Sequence, residues 1–450
     1  MKALNAYTHV VFIGIGGIGM SALARYFNQK GHKVLGYDKT ETELTSAMKS
    51  EGIAVYYSQE ELIDLLKIDL EQILVIYTPA ISDKSLLHQY FKSHNIELYK
   101  RSVILGEVTK SMPTLAVAGT HGKTTTSAIL AHILKASGIK LTAFCGGVLS
   151  NYNTNYIGDG EEVVVVEADE FDRSFLQLHP SAAVINSMDA DHLDIYDTPE
   201  QLTETFKAFS NLVPNHHLYM KSGLSLMAKT IGIEEDSDIS VKNILVKNGS
   251  YRFDIKTKIT ELSNLEFSLP GHHNLLNAAA ALALAIDFKP ELTSAFGSAL
   301  ASFKGVKRRF NYIHKSDRLV VIDDYAHHPT EIDAVHQAIL EMHPNKKSVV
   351  IFQPHLFTRT RDFAEGFARS LSKFDEVNLL DIYPAREEPI EGVTSEYLLN
   401  LIDHPEKALI KKRNIHDKVT NAEDKVIVLL GAGDIGVEAT NLLKHWHENV

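Results

Sequence analysis

The residues from Leu115 to Thr126 read Leu-Ala-Val-Ala-Gly-Thr-His-Gly-Lys-Thr-Thr-Thr and combine an apolar segment, two glycines and a lysine. An apolar strand followed by a glycine-rich loop and the start of a helix is the arrangement that binds the phosphates of ATP. The next segment has an apolar helical face, formed by Ile129, Leu130, Ile133 and Leu134, and its positive end would point at the loop. The sequence therefore predicts an ATP-binding loop, with a glycine turn that binds nothing as the alternative.

Each residue type in this loop has its own role in phosphate binding. Gly119 and Gly122 allow backbone N–H groups to close around phosphate oxygens, and Lys123 places a positive charge on the terminal phosphates. The hydroxyl of Thr124 can complete the coordination shell of Mg²⁺. Val117-Ala118 stands where the common P-loop has an earlier glycine, which disfavours a generic P-loop motor or switch. The predicted ATP-binding residues of the loop are Gly119, Thr120, His121, Gly122, Lys123, Thr124 and Thr125.

The composition is that of an ordinary globular protein, with 44% hydrophobic and 23% charged residues, and a length of 450 residues predicts about three domains. The formal net charge of -12 disfavours nucleic acid and anionic membranes as partners. The only cysteine, Cys145, excludes an intrachain disulfide. Because no apolar run reaches membrane-spanning length, we expect a cytoplasmic protein without membrane insertion. The sequence leaves a monomer and a homodimer open.

Apolar strand-like segments alternate with helical stretches along nearly the whole chain, which predicts an α/β fold with parallel sheets and crossover helices. We divide the chain into three domains, residues 1–109, 110–311 and 312–450. Residues 241–269 alternate polar and apolar side chains and are predicted to form a small antiparallel sheet, followed by a helix from about Asn274 to Ile286. The predicted strands include Val10–Ile13, Lys33–Tyr37, Ile73–Thr78, Val163–Glu167, Ala182–Asn186, Leu319–Asp323, Ser348–Gln353, Val377–Ile382 and Val426–Leu430.

A second glycine-rich turn follows the apolar segment at the N-terminus. Gly14, Gly16 and Gly19 have the spacing G-x-G-x-x-G, which binds a nucleotide diphosphate at the start of a helix, and Asp38 lies where it can accept a hydrogen bond from a ribose hydroxyl. Such a turn is typical of NAD binding, but its chemistry recognises any nucleotide diphosphate, and glycines that only pack a helix on a strand are the alternative. The predicted ligand-binding residues of this turn are Gly16, Gly17, Ile18, Gly19 and Asp38.

Acidic residues follow two apolar strands of the central domain. The strand from Val163 runs into Glu167-Ala-Asp-Glu170, and Mg²⁺ prefers carboxylate and phosphate oxygens. Glu167 together with Thr124 would form a partial magnesium shell. His192 lies in the acidic loop after the next strand and is predicted to be a second metal ligand or a phosphate contact, with a solvated loop as the alternative.

Further polar groups lie at a helix start and at strand ends in the second half of the chain. Asn274 and Asn277 are three positions apart and share a helix face, where their amides would read a purine edge, with a helix cap as the alternative role of Asn274. The cluster Lys307-Arg308-Arg309 can bind a phosphate through bidentate hydrogen bonds. Polar side chains also follow the strand that ends at Asp323, and the segment 352–361 suits a carboxylate or a phosphate.

Taken together, these motifs resemble those of the Mur ligases, and the resemblance spans essentially the whole chain. It rests on the order of GIGGIGMSALA, AGTHGKTTT, VEADE, DADHLDIY, PGHHNLLNAAA, GVKRRF, DDYAHHPTE, FQPHLFTRTRD, DIYPAREEPIEGVTSE and GAGDI. In that family a Rossmann-like N-terminal domain holds a UDP-sugar, a central P-loop domain holds ATP, and a Rossmann-like C-terminal domain brings the amino acid. The chain is similar in particular to members that join L-alanine to UDP-N-acetylmuramate.

The resemblance implies a role for each matching position. The residues implied to serve the ATP phosphates and Mg²⁺ are Lys123, Thr124, Glu167 and His192. Those implied to lie near the adenine, the ribose and a phosphate are Asn274, Asn277, Arg309 and Asp324. Those implied to receive alanine are Tyr325, His327 and Arg359, of which Arg359 would bind the carboxylate. The catalytic residues would be Lys123, His192, Arg309 and His327.

The implied reaction is ATP-dependent amide formation through an acyl phosphate, in the synthesis of peptidoglycan precursors. Two positions depart from the family pattern, because Phe171 stands where a serine is common and Leu356 where an arginine is common. The first removes a hydroxyl group, and the second leaves fewer arginines for the substrate. The alternatives are the murein-peptide ligase, which attaches a recycled tripeptide, an NAD-dependent dehydrogenase, and a nucleotide-controlled binding switch.

Overall fold

The computed structural model describes residues 1–66, 70–189, 196, 198–247, 250–258, 260–385 and 387–448 of the chain. Its residues group into two compact units. The first contains Met1–Asn243, Asp254–Leu265 and Leu276–Phe303, and the second contains Ile244–Phe253, Glu266–Leu275 and Lys304–Val450. Among the residues described, we find no helix with the length and apolar character needed to cross a membrane. The domain boundaries after residues 109 and 311 remain predictions.

The N-terminal part of the chain folds into a parallel five-stranded sheet with its helices. The strands are β1 (His9–Ile13), β2 (Lys33–Tyr37), β3 (Ala54–Tyr56), β4 (Ile73–Tyr77) and β5 (Leu98–Lys100), in the order β3-β2-β1-β4-β5. The helices are α1 (Ile18–Gln29), α2 (Glu43–Ser50), α3 (Gln59–Leu65), α4 (Leu86–Ser93) and α5 (Arg101–Thr109). Val10 and Phe12 of β1 pack in one apolar cluster, and Val11 and Ile13 pack in another. The sheet is therefore buried on both faces, as parallel sheets are.

The central part forms a ten-stranded sheet. Its strands are β6 (Thr114–Ala118), β7 (Leu141–Leu149), β8 (Thr154–Gly158), β9 (Val163–Ala168), β10 (Ala182–Ile185), β11 (Leu218–Lys221), β12 (Lys229–Ile233), β13 (Ile239–Lys247), β14 (Ser250–Thr257) and β15 (Glu261–Phe267). The helices are α6 (Lys123–Ala136), α7 (Pro199–Ser210), α8 (His272–Phe288) and α9 (Thr293–Ala301). Strand β6 lies between β10 and β9 and runs parallel to both. The loops that follow these three strands therefore meet at one edge of the sheet.

The segment 241–269 differs from its prediction. It does form strands, β13 to β15, but these belong to the ten-stranded sheet, so the prediction of a small sheet of its own was wrong. Strand β12 pairs with β13 in parallel, which joins the segment to the rest of the sheet. Polar and apolar alternation predicts a strand with one buried face, but it contains no information about the neighbouring strand.

The C-terminal part forms a six-stranded sheet in the order β16-β17-β21-β18-β19-β20. These strands are β16 (Asn311–Lys315), β17 (Leu319–Asp324), β18 (Lys347–Phe352), β19 (Glu376–Leu379), β20 (Lys407–Leu409) and β21 (Lys425–Leu430). The helices are α10 (Pro329–Met342), α11 (Phe357–Asp362), α12 (Ala364–Leu371), α13 (Ser395–Leu401), α14 (Ile415–Thr420) and α15 (Ile435–Glu448). Only β16 is antiparallel among these strands. Because β21 inserts between β17 and β18, the strand order reverses there, and open α/β sheets bind ligands at such a point.

The predicted α/β fold with largely parallel sheets is confirmed, and most predicted strands agree with the structure to within one or two residues. Strand β2 has the predicted bounds, and β17 extends one residue further, to Asp324. Strand β19 ends at Leu379, earlier than predicted. The predicted helix after the segment 241–269 is α8, which begins two residues earlier, at His272.

Candidate functional site

The predicted ATP-binding loop connects β6 to α6. Gly122 is the N-cap of α6 and has a φ of 79°, in the left-handed region that favours glycine. A Cβ atom there would lie 2.6 Å from Oδ1 of Asn277, and a Cβ on Gly119 would lie 2.8 Å from the backbone nitrogen of Ser187. Both positions need glycine because the loop packs closely against its neighbours. The first N–H groups of α6 have no acceptor within the helix, which leaves them available to a phosphate.

Lys123 folds back over this loop and pairs with a buried carboxylate. Its Nζ donates to the carbonyl oxygen of Gly119 at 2.8 Å and to both carboxylate oxygens of Glu170 at 2.9 and 2.7 Å. The side chain of Lys123 is 12% exposed and that of Glu170 is 0% exposed. Burial lowers the pKa of Lys123, but the carboxylates of Glu170, Asp169 and Glu167 outweigh this effect, so its pKa lies above the ordinary value. The loop therefore contains a permanent cation at the position predicted for phosphate binding.

Thr124 and Glu167 form the predicted pair of oxygen ligands. The Thr124 hydroxyl lies 3.0 and 3.1 Å from the two carboxylate oxygens of Glu167, and the backbone N–H of Gly146 donates to one of them at 2.9 Å. A Cβ on Gly146 would lie 2.1 Å from Oε2 of Glu167, so only glycine leaves this carboxylate in place. Within the part of the chain that the structure describes, no three His, Cys, Asp or Glu side chains cluster as a metal site. His192, the predicted second ligand, lies outside the described residues.

Thr120 and His121 contact the loop that follows β10. Oγ1 of Thr120 lies 3.0 Å from Oγ of Ser187, and the backbone N–H of His121 donates to the same oxygen at 2.7 Å. Nε2 of His121 lies 3.6 Å from Oδ2 of Asp189. Thr125 is buried in the first turn of α6. These contacts fix the shape of the ATP-binding loop, and the direct binding of ATP by these three residues stays a prediction.

Asn274 and Asn277 are both buried in the first half of α8. The side-chain amide of Asn274 donates to the carbonyl oxygen of Pro270 at 2.6 Å, a local contact at the helix start. Asn277 lies against Gly122, as the short distance to a Cβ built on that glycine demonstrates. The structure therefore brings Asn277 to the ATP-binding loop, and the recognition of adenine by either asparagine stays a prediction.

The N-terminal glycine turn connects β1 to α1. Gly14 has a φ of 89°, and Gly17 is the N-cap of α1, so Ile18 and Gly19 begin that helix. Oδ2 of Asp38 accepts the backbone N–H of Gly16 at 2.7 Å. Asp38 thus holds the turn in shape, a role that the sequence did not indicate, and its predicted hydrogen bond to a ribose stays a prediction.

A cavity of about 290 Å³ joins this turn to the magnesium ligand predicted in the central part of the chain. It is lined by Gly17, Ile18 and Gly19 of the turn and by Glu167 and Gly146. The cavity also contains Arg101, which sequence reasoning did not identify. The available signal was its position, because Arg101 directly follows β5, at the carboxyl edge of a parallel sheet. The sequence indicated Glu170, the partner of Lys123, only as one of several acidic residues after β9.

In the second unit, Arg309, Asp324 and Tyr325 lie together. The two carboxylate oxygens of Asp324 accept the backbone N–H groups of Phe310 at 2.6 Å and of Ala326 at 2.7 Å. Burial raises the pKa of Asp324, although Arg309 and these hydrogen bonds act in the opposite direction. The Arg309 guanidinium lies 5.1 Å from the centre of the Tyr325 ring, within the range of a cation–π contact.

His327 lies in the turn between β17 and α10. Its backbone N–H donates to Oε2 of Glu331 at 2.9 Å, and its Nδ1 lies 2.9 Å from the carbonyl oxygen of Tyr325. The ring of His355 approaches it edge to face, with centroids 6.1 Å apart. Arg359 is half-buried on the short helix α11. The structure thus joins Tyr325 and His327, and the alanine contacts of these residues stay predictions.

Of the two departures from the Mur ligase pattern, Leu356 lies at an unusual backbone position and Phe171 directly precedes two such positions. Leu356 is the N-cap of α11 and has a φ of 68°, which is uncommon for a residue with a Cβ atom. Phe171 precedes Asp172 and Arg173, whose φ values are 52° and 54°. The backbone N–H of Phe171 donates to Oδ1 of Asp169 at 3.2 Å, so position 171 contributes a main-chain contact beside the carboxylate cluster.

Arg308 has a structural role within the predicted phosphate-binding cluster. Its guanidinium donates to the carbonyl oxygens of Gly431 and Gly433, in the turn between β21 and α15. A Cβ on Gly436 would lie 2.4 Å from Cζ of Arg308. Arg308 is therefore engaged with the protein backbone, and both its guanidinium and that of Arg309 lie 5.1 Å from the centre of the Tyr325 ring.

Models of three protein domains match the chain along most of its length. The model of the Mur ligase family, catalytic domain, matches residues 9–112, and the model of the Mur ligase middle domain matches residues 117–285. The model of the Mur ligase, glutamate ligase domain, matches residues 308–437. The matches follow one another in the order of the three sheets.

Individual proteins are similar over nearly the full length. A UDP-N-acetylmuramate–L-alanine ligase of Christiangramia forsetii is 54% identical over 99% of both chains. The crystal structure of a UDP-N-acetylmuramate-alanine ligase from Thermotoga maritima has a TM-score of 0.84 and 27% identity, and covers 98% of this chain and 100% of that one. A murein peptide ligase from Psychrobacter arcticus has a TM-score of 0.69 at 22% identity, with 97% and 98% coverage, which demonstrates a shared fold only.

Proposed function

The chain belongs to the Mur ligase family, and we propose that it is the ATP-dependent ligase that joins L-alanine to the carboxylate of UDP-N-acetylmuramate in the synthesis of peptidoglycan precursors. One structural observation carries the proposal. A single cavity is lined both by the N-terminal glycine turn, Gly17 to Gly19, and by Glu167, which contacts Thr124 of the ATP-binding loop. This arrangement suits a nucleotide sugar whose acidic end must reach the terminal phosphate of ATP.

ATP fits the loop between β6 and α6. Phosphate oxygens can approach the backbone closely at Gly119 and Gly122, because these residues have no Cβ atom. The first N–H groups of α6 can then donate hydrogen bonds to them. Lys123 supplies the charge, and its raised pKa keeps it protonated throughout the physiological range. Incoming phosphates would share this cation with Glu170. A charge that is already in position stabilises the negative charge that develops during phosphoryl transfer.

Mg²⁺ fits the oxygen donors of Thr124 and Glu167. A hydroxyl group and a carboxylate about 3 Å apart are hard ligands of the type that Mg²⁺ takes alongside phosphate oxygens and water. We propose that these two residues hold the ion, with His192 as a further ligand. When bound, Mg²⁺ neutralises phosphate charge and so favours attack by an anionic carboxylate.

The UDP-sugar is proposed to lie over the N-terminal turn. The first N–H groups of α1 and its positive end bind the diphosphate, and the sugar acid extends through the cavity toward Glu167. The carboxylate of this substrate attacks the γ-phosphate of ATP, which forms an acyl phosphate and releases ADP. The amine of alanine then attacks the acyl carbon, loses a proton and displaces inorganic phosphate to form the amide. The side chains of the protein bind and orient these groups, and no side chain becomes covalently modified.

Alanine is proposed to bind in the second unit. Tyr325 and His327 lie together there, and the guanidinium of Arg359 has the geometry to bind the carboxylate through paired hydrogen bonds. We also propose the division into a UDP-sugar domain (1–109), an ATP domain (110–311) and an amino-acid domain (312–450). Because ATP and a nucleotide sugar are consumed, the reaction is proposed to take place in the cytoplasm.

ADP release, measured with a coupled assay, tests the function. We expect release only when UDP-N-acetylmuramate, an amino acid and Mg²⁺ are all present, with L-alanine preferred. Release that prefers the tripeptide L-alanyl-γ-D-glutamyl-meso-diaminopimelate over alanine would instead identify a murein-peptide ligase. Release of ADP without either partner would indicate a nucleotide-controlled switch.

A further inference from the structure

Arg101 lies where a ligand of the N-terminal turn would bind. It is the first residue of α5, and its side chain reaches the start of α1. A Cβ atom on Gly19 would lie 2.5 Å from Nη1 and 3.0 Å from Cζ of Arg101, so the guanidinium rests against the α-carbon of that glycine. A larger residue at position 19 would displace it. The last glycine of the G-x-G-x-x-G turn therefore makes room for a cation.

The guanidinium of Arg101 has hydrogen-bonding capacity to spare. Its Nη2 lies 4.0 Å from Oδ2 of Asp169, beyond hydrogen-bond distance, and the side chain is 27% exposed. Throughout the ranges that the structure describes, we find no acceptor bound to this guanidinium. Arg25 on the neighbouring α1 is different, because it donates to both carboxylate oxygens of Glu51 and to Asn155. A guanidinium with five N–H donors thus faces the cavity ready for a ligand.

Groups of both charges line the cavity. Arg101 lies against Gly19 in the first turn of α1, whose N–H groups are unpaired, whereas Glu167 contacts Gly146 and Thr124. Asp169, on the cavity wall, holds the guanidinium in place without saturating it. When no cation is bound at Glu167, an anion is therefore attracted to Arg101 and the first turn of α1 and repelled by Glu167. Two adjoining phosphates match the fork of a guanidinium together with backbone N–H groups.

We propose that Arg101 binds the diphosphate of the UDP-sugar, together with the first turn of α1. The identity of this ligand rests on the proposed function. Arg101 provides the positive charge that the N-terminal turn itself lacks, since residues 14–20 contain no basic side chain.

Calorimetric titration without ATP tests the proposal. The wild-type protein and the variants Arg101→Ala, Arg101→Lys and Lys100→Ala are titrated with UDP-N-acetylmuramate and with UDP-N-acetylglucosamine, which has the diphosphate but lacks the carboxylate. Lys100 is a matched control because it has the same charge one residue away and pairs with Asp172 at 2.6 Å on the surface.

We expect Arg101→Ala to weaken the binding of both nucleotide sugars by about 10- to 100-fold and by a similar factor, because a charge-assisted hydrogen-bonded pair is lost. Arg101→Lys should lose less, and Lys100→Ala should bind as the wild type does. If the alanine variant does not fold, the affinity of the lysine variant for the two nucleotide sugars tests the proposal, because lysine keeps the charge and a similar side-chain length.

Three results would overturn the proposal. Unchanged affinity of both Arg101 variants would make the residue structural. A loss confined to UDP-N-acetylmuramate would assign Arg101 to the carboxylate instead of the diphosphate. Failure of the wild-type protein to bind either nucleotide sugar would overturn both the proposed function and the role of Arg101. This result can be distinguished from the other two because it is obtained with the wild-type protein alone.

Discussion

The two glycine-rich turns of this chain share a backbone design and differ in how charge is supplied. Each turn follows a strand that is parallel to both of its neighbours, β6 in one case and β1 in the other, and leads into a helix, α6 or α1. The turn before α6 contains its own cation, Lys123, which pairs with the buried Glu170. The turn before α1 contains no basic residue, and its cation, Arg101, comes from α5 and is largely unpaired.

This difference corresponds to what each turn must do. Phosphoryl transfer needs a cation held in place before the reaction, since charge that is already oriented requires no reorganisation when negative charge develops. Binding a diphosphate needs only electrostatic attraction and backbone N–H groups, so a partly exposed arginine that lines the cavity is sufficient. We infer that the turn before α6 serves phosphoryl transfer and that the turn before α1 serves substrate binding. The following predictions test this division.

The largest effect is expected for Lys123→Ala. Turnover should fall by at least about 10²-fold, because a preorganised charge on the terminal phosphates is lost. The variant should also lose about 3 kcal/mol of unfolding free energy in urea, since Glu170 is left buried without its partner. The double variant Lys123→Met/Glu170→Gln should regain stability and stay inactive. Near wild-type turnover in any folded Lys123 variant would refute the assignment of this loop to ATP.

Glu167→Gln is expected to raise the Mg²⁺ concentration for half-maximal activity by about tenfold or more, because a neutral amide is a weaker ligand than a carboxylate. The exposed Glu162 near the start of β9 provides the matched control, Glu162→Gln, which should titrate as the wild type does. A magnesium titration of Glu167→Gln that coincides with the wild type would remove Glu167 from the metal site.

Gly17→Asp is expected to weaken UDP-N-acetylmuramate binding by about tenfold while leaving ATP binding unchanged, because it places a negative charge beside the diphosphate. The backbone tolerates the change, since Gly17 has a φ of −63° and a Cβ there would meet no atom closer than 3.7 Å. Aspartate is also a favourable N-cap residue. The Gly17→Ala variant adds a side chain without a charge and should bind UDP-N-acetylmuramate with nearly the wild-type affinity. An equal loss of affinity in both variants would contradict the electrostatic explanation.

The smallest effect is expected for Arg359→Lys, which should raise the KM for alanine about fivefold with little change in the KM for ATP. A lysine keeps the charge but cannot form the paired hydrogen bonds of a guanidinium with a carboxylate. Arg361→Lys is the control, because Arg361 is exposed and pairs with Asp362. An increase in the KM for ATP instead would assign Arg359 to the nucleotide and leave the alanine carboxylate to another residue, such as Arg361.

Both turns were predictable from sequence because their signals are local. The apolar strand, the glycines and the following helix lie within about 25 residues of one another in each case, and backbone geometry restricts what such a pattern can form. The strands were predictable for the same reason. The alternation of residues 241–269 predicted strands correctly, but the partner of β13 is set by packing that alternation does not encode.

The charge partners were not predictable, because each depends on residues far apart in the chain. Lys123 and Glu170 are 47 positions apart, and Gly16 and Asp38 are 22 apart. Arg101 reaches Gly19 only because β5 and β1 belong to the same sheet, on either side of β4. A sequence pattern identifies residues that can carry charge, and the fold decides which of them meet.

The most direct measurement follows oxygen through the reaction. UDP-N-acetylmuramate labelled with ¹⁸O in its carboxylate is incubated with the protein, ATP, Mg²⁺ and L-alanine, and the released phosphate is analysed by mass spectrometry. An acyl phosphate transfers one carboxylate oxygen to phosphate when the amine displaces it, so we expect one ¹⁸O atom in each phosphate and formation of UDP-N-acetylmuramoyl-L-alanine. Unlabelled phosphate, or release of phosphate without amide formation, would contradict the ligase function proposed for this chain.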